Sequence, residues 1–299
     1  MHVIIIMVVL SLAWCLRWIY PGLLNFSDID LGGYQARWQK ILFLFLFPPL
    51  LILMTAIAVL CMGPTGQMLG FHGGWFSYAI AIAFLGYAIV WGCTLGAQGI
   101  IAARKIARYP HSEFATQLAG QTVRELDSPQ IFAAQVGFWR PQLAVSQGML
   151  QALDPIHLEA VLKHEQAHYH YRDTFWFFCL GYIRQVTRWL PHTDALWQEL
   201  LLLREMRADR WAAQYVDRLV LAEALLWSVS SALVYVAQPI APESEIFCAA
   251  FSYPTPRSRL EKRIDAILDE TVPEPESNNL LLGLLVLSLL PLTSIPFHS

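Results

Sequence analysis

DPIHLEAVLKHEQAHYHYRD, residues 154–173, opens with a helix-start signal: Asp154 to cap and Pro155 at the first helical position. Leu158, Val161, Leu162, His164, Glu165 and His168 then fall three and four apart, which makes one stripe on a helix. The apolar stripe runs directly into His164-Glu165-Gln166-Ala167-His168, an HExxH pattern. Residues i and i+4 are neighbours on a helix face. Two imidazoles there can share one Zn²⁺ at about 2.0–2.1 Å. Glu165, one step around from His164, is placed as a general base and not as a ligand.

Such a site needs a third protein ligand and an open fourth position. A second helical pattern, Leu196–Val216, puts Leu201, Leu202, Glu205, Ala208, Asp209 and Ala212 on one face. Carboxylates on an apolar face need a partner or a metal. Glu205 is the expected third ligand. Asp209 is the expected acceptor for the second ring N–H of a ligand histidine, His164 first.

Outward from this pair, the composition is that of a membrane protein. Hydrophobic residues make up 56% of the 299 and charged residues 14%, with mean hydropathy +0.44. Soluble domains sit near ~45–50% and ~25%. A net charge of −3 gives no footing for direct nucleic-acid binding. Five scattered cysteines with no CxxC pair exclude a disulfide scaffold or a cysteine-based metal site.

No Asp, Glu, Lys or Arg occurs in residues 41–103. With about 20 residues needed per span, this stretch predicts two spans, 41–62 and 75–103, joined by a loop at Gly63–Gly74. An apolar run at 2–20 is read as a retained first span, since it lacks a basic start and an A-x-A cleavage site. Leu280–Phe297 is the expected fourth. The distribution of Lys and Arg places residues 104–279 on the cytoplasmic side of a plasma or inner membrane and both termini outside. Thr174–Leu190 and Leu221–Ala237 carry charges and are read as buried or membrane-grazing helices.

HExxH continuing to Arg172-Asp173, followed by Arg204-Glu205-Met206-Arg207-Ala208-Asp209-Arg210, resembles the membrane metallopeptidases of the BlaR/MecR type, bacterial signal transducers that sense antibiotics. Arg140 with Pro141–Leu150, an RPxxxxSxGxL segment, and Ser258–Ile264 are similar to further parts of that family. So is the layout of three spans before the zinc domain and one after. The resemblance implies zinc-dependent cleavage of a cytoplasmic protein, typically a DNA-binding repressor or the protease itself. The sequence has no SxxK motif, so sensing by a penicillin-binding domain is not expected.

Lesser features are weighed beside these. Leu143–Ser146 is read as an edge strand that is either substrate-pairing or plainly structural. His170 is read as off the ligand face. Tyr169, Tyr171, His192 and Tyr215 are open choices for oxyanion stabilisation. Arg172 and Asp173 are read as braces for the end of the motif helix. Arg257, Arg259, Lys262 and Arg263 form a basic helix read as a solvated, lipid-facing surface, with partner docking as the alternative. Pro273–Asn279 reads as a linker.

The expectation is thus a multi-pass α-helical membrane protein with a mostly α (α+β), gluzincin-type metallopeptidase domain. His164, His168 and Glu205 would hold Zn²⁺, Glu165 would activate water and Asp209 would orient a ligand. The expected partners are the lipid bilayer, a cytoplasmic protein substrate such as a repressor, and a second copy of the chain as homodimer. Two rivals stand beside it: an HtpX-like quality-control protease, and a non-catalytic receptor that keeps zinc only as structure.

Overall fold

The uncharged stretch folds into long helices. α1 (His2–Trp18), α2 (Gly33–Met62) and α3 (Trp75–Ile106) open the chain, with a short antiparallel hairpin, β1 (Gln67–Met68) and β2 (Phe71–His72), before α3. The computed structural model describes residues 2–18, 33–65, 67–68, 71–72, 74–235, 248–250, 257–268, 283 and 286–297. The predicted linker Pro273–Asn279, and parts of the segments 2–20 and Leu280–Phe297, lie outside them. Among the described residues, two helices are long and apolar enough to cross a membrane, Tyr34–Met62 and Trp75–Ile106; α1 is shorter. The described end of the predicted fourth span is a 3₁₀ helix, Leu290–Phe297, and not a continuous α-helix. Pro291 and Pro296 lack the N–H groups that an α-helix there would use.

The chain divides into two units by its internal contacts. The first takes residues 1–94, 182–201 and 274–299. In it α1 packs along α2, with Ala13, Ile52 and Leu190 buried together. α2 carries Pro48 and Pro49 in mid-helix. Pro49 has no N–H for the carbonyl four residues back, Phe45. The buried Arg17 of α1 donates to that carbonyl at 3.3 Å. α1 thus supplies a donor to a carbonyl that Pro49 leaves without one.

The second unit takes residues 95–181 and 202–273. Its sheet contains β3 (Val123–Leu126), β4 (Ala133–Val136), β5 (Gln142–Ser146) and β6 (Cys248–Ala250), in the order β3-β5-β4-β6. β3 and β5 are parallel; β4 pairs antiparallel with β5 and with β6. β5 is therefore an interior strand. This corrects the edge-strand expectation for Leu143–Ser146, which a weak alternation cannot place within a sheet.

Around the sheet lie α4 (Glu113–Ala119), α5 (Gln147–Ala152), α6 (Pro155–His170), the start of α7 (Asp173–Val186), the second half of α8 (Thr193–Ala212), α9 (Arg218–Tyr235) and α10 (Arg257–Leu268). Val123, Leu143 and Val145 of the sheet meet Leu158, Val161 and Leu162 of α6 and Leu221, Ala224 and Leu225 of α9 in one core. The RPxxxxSxGxL segment forms β5 and the turn into α5. Ser146 caps α5 by accepting from the Met149 N–H, and also accepts from the Phe132 N–H. A Cβ on Gly148 would collide with the Pro129 carbonyl, so only glycine fits that approach.

Candidate metal centre

α6 starts as its sequence requires: the Asp154 carboxylate accepts from the His157 N–H at 2.9 Å, and Pro155 follows. From that start the helix turns Leu158, Val161, Leu162, His164, Glu165 and His168 into the interior. α8 brings Glu205 and Asp209 to the same place. His164, Glu165 and His168 are each 0% exposed.

The two Nε2 atoms of His164 and His168 lie 3.1 Å apart. Glu205 Oε2 is 3.3 Å from His164 Nε2, and Oε1 is 3.7 Å from His168 Nε2. Tetrahedral bonds of ~2.0–2.1 Å would separate neighbouring ligand atoms by about 3.4 Å. The three groups therefore fit one small divalent cation, and their ligand atoms all fall within 4.8 Å of one another.

The other ring nitrogens make the aim clearer. Asp209 Oδ1 is 2.8 Å from His164 Nδ1, and Asp173 Oδ2 is 2.8 Å from His168 Nδ1. His168 Nδ1 hydrogen-bonds to Asp173, and His164 Nδ1 is in ion-pair contact with Asp209, which turns both Nε2 atoms toward one point. The carboxylates are held in turn. Arg263, 3% exposed, donates to both Asp209 oxygens at 2.7 and 2.8 Å. Arg207 donates to Asp173, and Arg204 donates to Glu205 Oε1 at 3.0 and 2.7 Å while lying over the Phe177 ring.

Glu165 is held from the sheet. The Gln135 backbone N–H donates to Glu165 Oε2, and the Gln135 amide donates to the Glu165 carbonyl, both at 3.2 Å. Glu165 Oε1 is buried with no hydrogen-bond partner among the described residues. Such an oxygen is costly unless a water or substrate group meets it. Burial raises the Glu165 carboxyl to about 8. Burial pushes the His164 imidazolium down, but Asp209 and then Glu205 outweigh it and lift it to about 9. Burial is the largest influence on His168 and lowers it. Against burial, Arg204 and the neighbouring cations hold Glu205 well below the usual carboxylate range, and Arg263 and His164 lower Asp209. The carboxylates thus call for positive charge at His164, as a proton or as a metal ion.

Two side chains prove more involved than their sequence reading. Asp173 was expected to brace the helix end; its carboxylate instead binds the His168 ring. Arg172, with φ +52°, makes the turn that folds Asp173 back, a conformation that non-glycine residues rarely adopt. Arg263 was expected in solvent and is instead buried on Asp209. Its face on α10 alternates charge with Leu260, Ile264 and Ile267, and helical period alone does not tell a buried arginine from an exposed one. Gln135 carried no signal in the sequence, and Arg204 none beyond its place in the Arg204–Arg210 stretch that carries the resemblance. Of the residues weighed for oxyanion stabilisation, Tyr169 and Tyr215 are exposed, Tyr171 lies under Arg207, and His192 packs on Trp18 in the first unit.

The chain matches no protein-family model and no curated protein. The site rests on its own geometry.

Proposed function

We propose that the chain is a membrane-embedded zinc endopeptidase that cleaves a cytoplasmic protein, a transcriptional repressor or the chain itself, in signal transduction. The observation that carries this is the convergence of His164 Nε2, His168 Nε2 and Glu205 beside a Glu165 whose free oxygen is buried. His164, His168 and Glu205 would hold the Zn²⁺. When bound, zinc polarises a peptide carbonyl and makes water a nucleophile near neutral pH.

The chain's own groups do the rest. Glu165 takes the proton of the attacking water on Oε1 and passes it to the leaving amine. Its raised affinity for protons suits both halves of that task. The Gln135 N–H holds Oε2, so that Oε1 is the working oxygen. Asp209 and Asp173 keep the imidazoles in one tautomer and orientation. β6 hydrogen-bonds to β4 across from Gln135, so the edge of β4 next to Glu165 is taken by a strand of the chain itself, paired antiparallel as an added peptide strand would be.

Membrane embedding is supported by α3. Phe76, Ile80, Ile82, Ile89, Val90 and Ile101 are all exposed on it, an apolar surface that water would not tolerate. The signalling reading is preferred over HtpX-like quality control, which places spans between the two motifs. Here only the 14-residue α7 separates α6 from α8, well short of the ~20 residues of a span.

The test compares new protein N-termini, by quantitative mass spectrometry, in cells expressing wild type or Glu165→Gln. One or two termini specific to wild type, in a DNA-binding repressor or in this chain, are expected. Many scattered membrane-protein termini would favour quality control and overturn the signalling reading.

A further inference from the structure

The second unit holds a cleft of about 900 Å³ that none of the metal-centre residues line. It opens between the end of α4 (Gly120, Gln121), the β4–β5 turn (Phe138–Pro141), the end of α6, and the 172–175 corner, with Trp211 beside it. Gln166, Tyr169 and His170 are its α6 residues. They sit roughly 150° around the helix from the mean direction of His164, Glu165 and His168. The cleft is therefore on the far face of α6 from the metal centre.

Its chemistry is one-sided. Arg140 and Arg172 line it, no carboxylate does, and neither guanidinium has an ion pair among the described residues. Two more polar atoms there, Gln121 Nε2 and Thr174 Oγ1, are buried with no hydrogen-bond partner among the described residues. All four groups can donate; the two guanidiniums are exposed to solvent, whereas the Gln121 and Thr174 atoms are buried, and unmet buried donors are uncommon in native structures. The remaining surface is aromatic: Trp139 meets Phe175 edge-on at 5.7 Å, and His170 stacks on Trp211 at 5.7 Å. Two guanidiniums with no carboxylate beside them, set among aromatic rings, fit an anion on an aromatic or apolar body. The volume is that of a small-molecule site.

We propose that this cleft binds a small amphiphilic anion, a phosphate group on an aromatic or apolar body, and that its occupancy is coupled to the metal centre. The link is covalent and short. Arg172 and Thr174 line the cleft, and Asp173 between them holds His168. Fixing the corner from outside fixes Asp173, and with it the His168 ring. A chain with this cleft can receive a chemical signal in its second unit. The coupling rests on the metal-centre reading above; the binding does not.

The experiment uses the full-length, zinc-loaded protein in phosphatidylcholine nanodiscs. Equilibrium dialysis measures binding of 1-naphthyl phosphate and of inorganic phosphate. Saturable binding of one naphthyl phosphate per chain is expected, with inorganic phosphate much weaker. Arg140→Gln, and Arg172→Asn to respect the left-handed backbone, should each weaken binding about tenfold. Adding phosphatidylglycerol to the nanodiscs separates the sources: competition assigns a lipid headgroup, and its absence a soluble anion. No saturable binding, or equal affinity in wild type and both variants, overturns the site. The rate of zinc loss to a chelator should fall about fivefold or more when the ligand is bound. An unchanged rate in ligand-saturated wild type overturns the coupling. Neither readout needs cleavage, so failure here and failure of the peptidase reading are separate results.

Discussion

Asp209→Asn removes one charge from the buried Asp209–Arg263 ion pair. Asp209 is 1% exposed and Arg263 3%. The carboxylate accepts two bonds from Arg263, at 2.7 and 2.8 Å, and lies 2.8 Å from His164 Nδ1. Asparagine keeps the shape but takes away the hydrogen-bonded counter-charge of the guanidinium and leaves it Glu205, 3.4 Å away. Removing one partner of a buried pair costs about 3–5 kcal/mol. At 2–4 °C per kcal/mol for a domain of this size, that is a fall in melting temperature of about 6–20 °C. Losing the carboxylate behind a ligand histidine also weakens metal binding about 10–100-fold. The assay is a thermal melt of the metal-free protein together with zinc competition against a chelator. Arg263→Met in the same background makes the argument sharper. The double variant has no unpaired buried charge and should regain stability over Asp209→Asn alone, but not zinc affinity. A melt and an affinity at wild-type values in Asp209→Asn would refute the reasoning. So would a double variant less stable than either single one.

Further outcomes follow from the same geometry. Zinc uptake must displace the proton that His164 holds up to about 9, so zinc affinity should rise about tenfold per pH unit from 6 toward 9 and then level off. Calorimetry in buffers of different ionisation enthalpy should show proton release at pH 7. In the metal-free protein, His164 and Glu165 both bind protons more tightly folded than unfolded. Their contributions are complete below their ordinary values of 6.5 and 4.5 and are lost as pH rises through about 9 and about 8. His168, which burial lowers, contributes in the opposite direction below 6.5, so metal-free stability should decline between about pH 7 and 9, which denaturant titration at each pH will show. Gly148→Ala should destabilise by about 1–3 kcal/mol through overpacking against Pro129, measured by the same titration. Arg17→Leu should destabilise the wild type more than it does Pro49→Ala, because alanine restores a donor for the Phe45 carbonyl; equal losses in the two backgrounds would contradict that.

The gathering of His164, His168 and Glu205 was legible because its elements are local. Asp154-Pro155 starts α6, and helical period then decides that His164, Glu165 and His168 face one way, with Glu205 and Asp209 doing the same on α8. What was not legible depends on tertiary placement. Asp173 lies five residues past His168, beyond the helix end, and reaches back only through the left-handed turn at Arg172. Arg263 comes from a distant helix. Gln135 acts through its backbone N–H as much as through its side chain, and no residue type advertises that. β5 looked like an edge because two-residue alternation records which face is buried and not how many neighbours a strand has. The long helices α2 and α3 were plain from an uncharged stretch, whereas Pro291 and Pro296 break the last apolar run in a way that a hydropathy count ignores.

The most direct measurement pairs metal content with cleavage in the purified full-length protein. Wild type and Glu165→Gln in nanodiscs, loaded with zinc and dialysed, are assayed for zinc per chain and for self-cleavage or cleavage of an unfolded protein substrate. Both should retain one zinc, and only wild type should cut, with His164→Ala losing the metal as well. Zinc that fails to stay with wild type, or cleavage that persists in Glu165→Gln, would contradict the central claim.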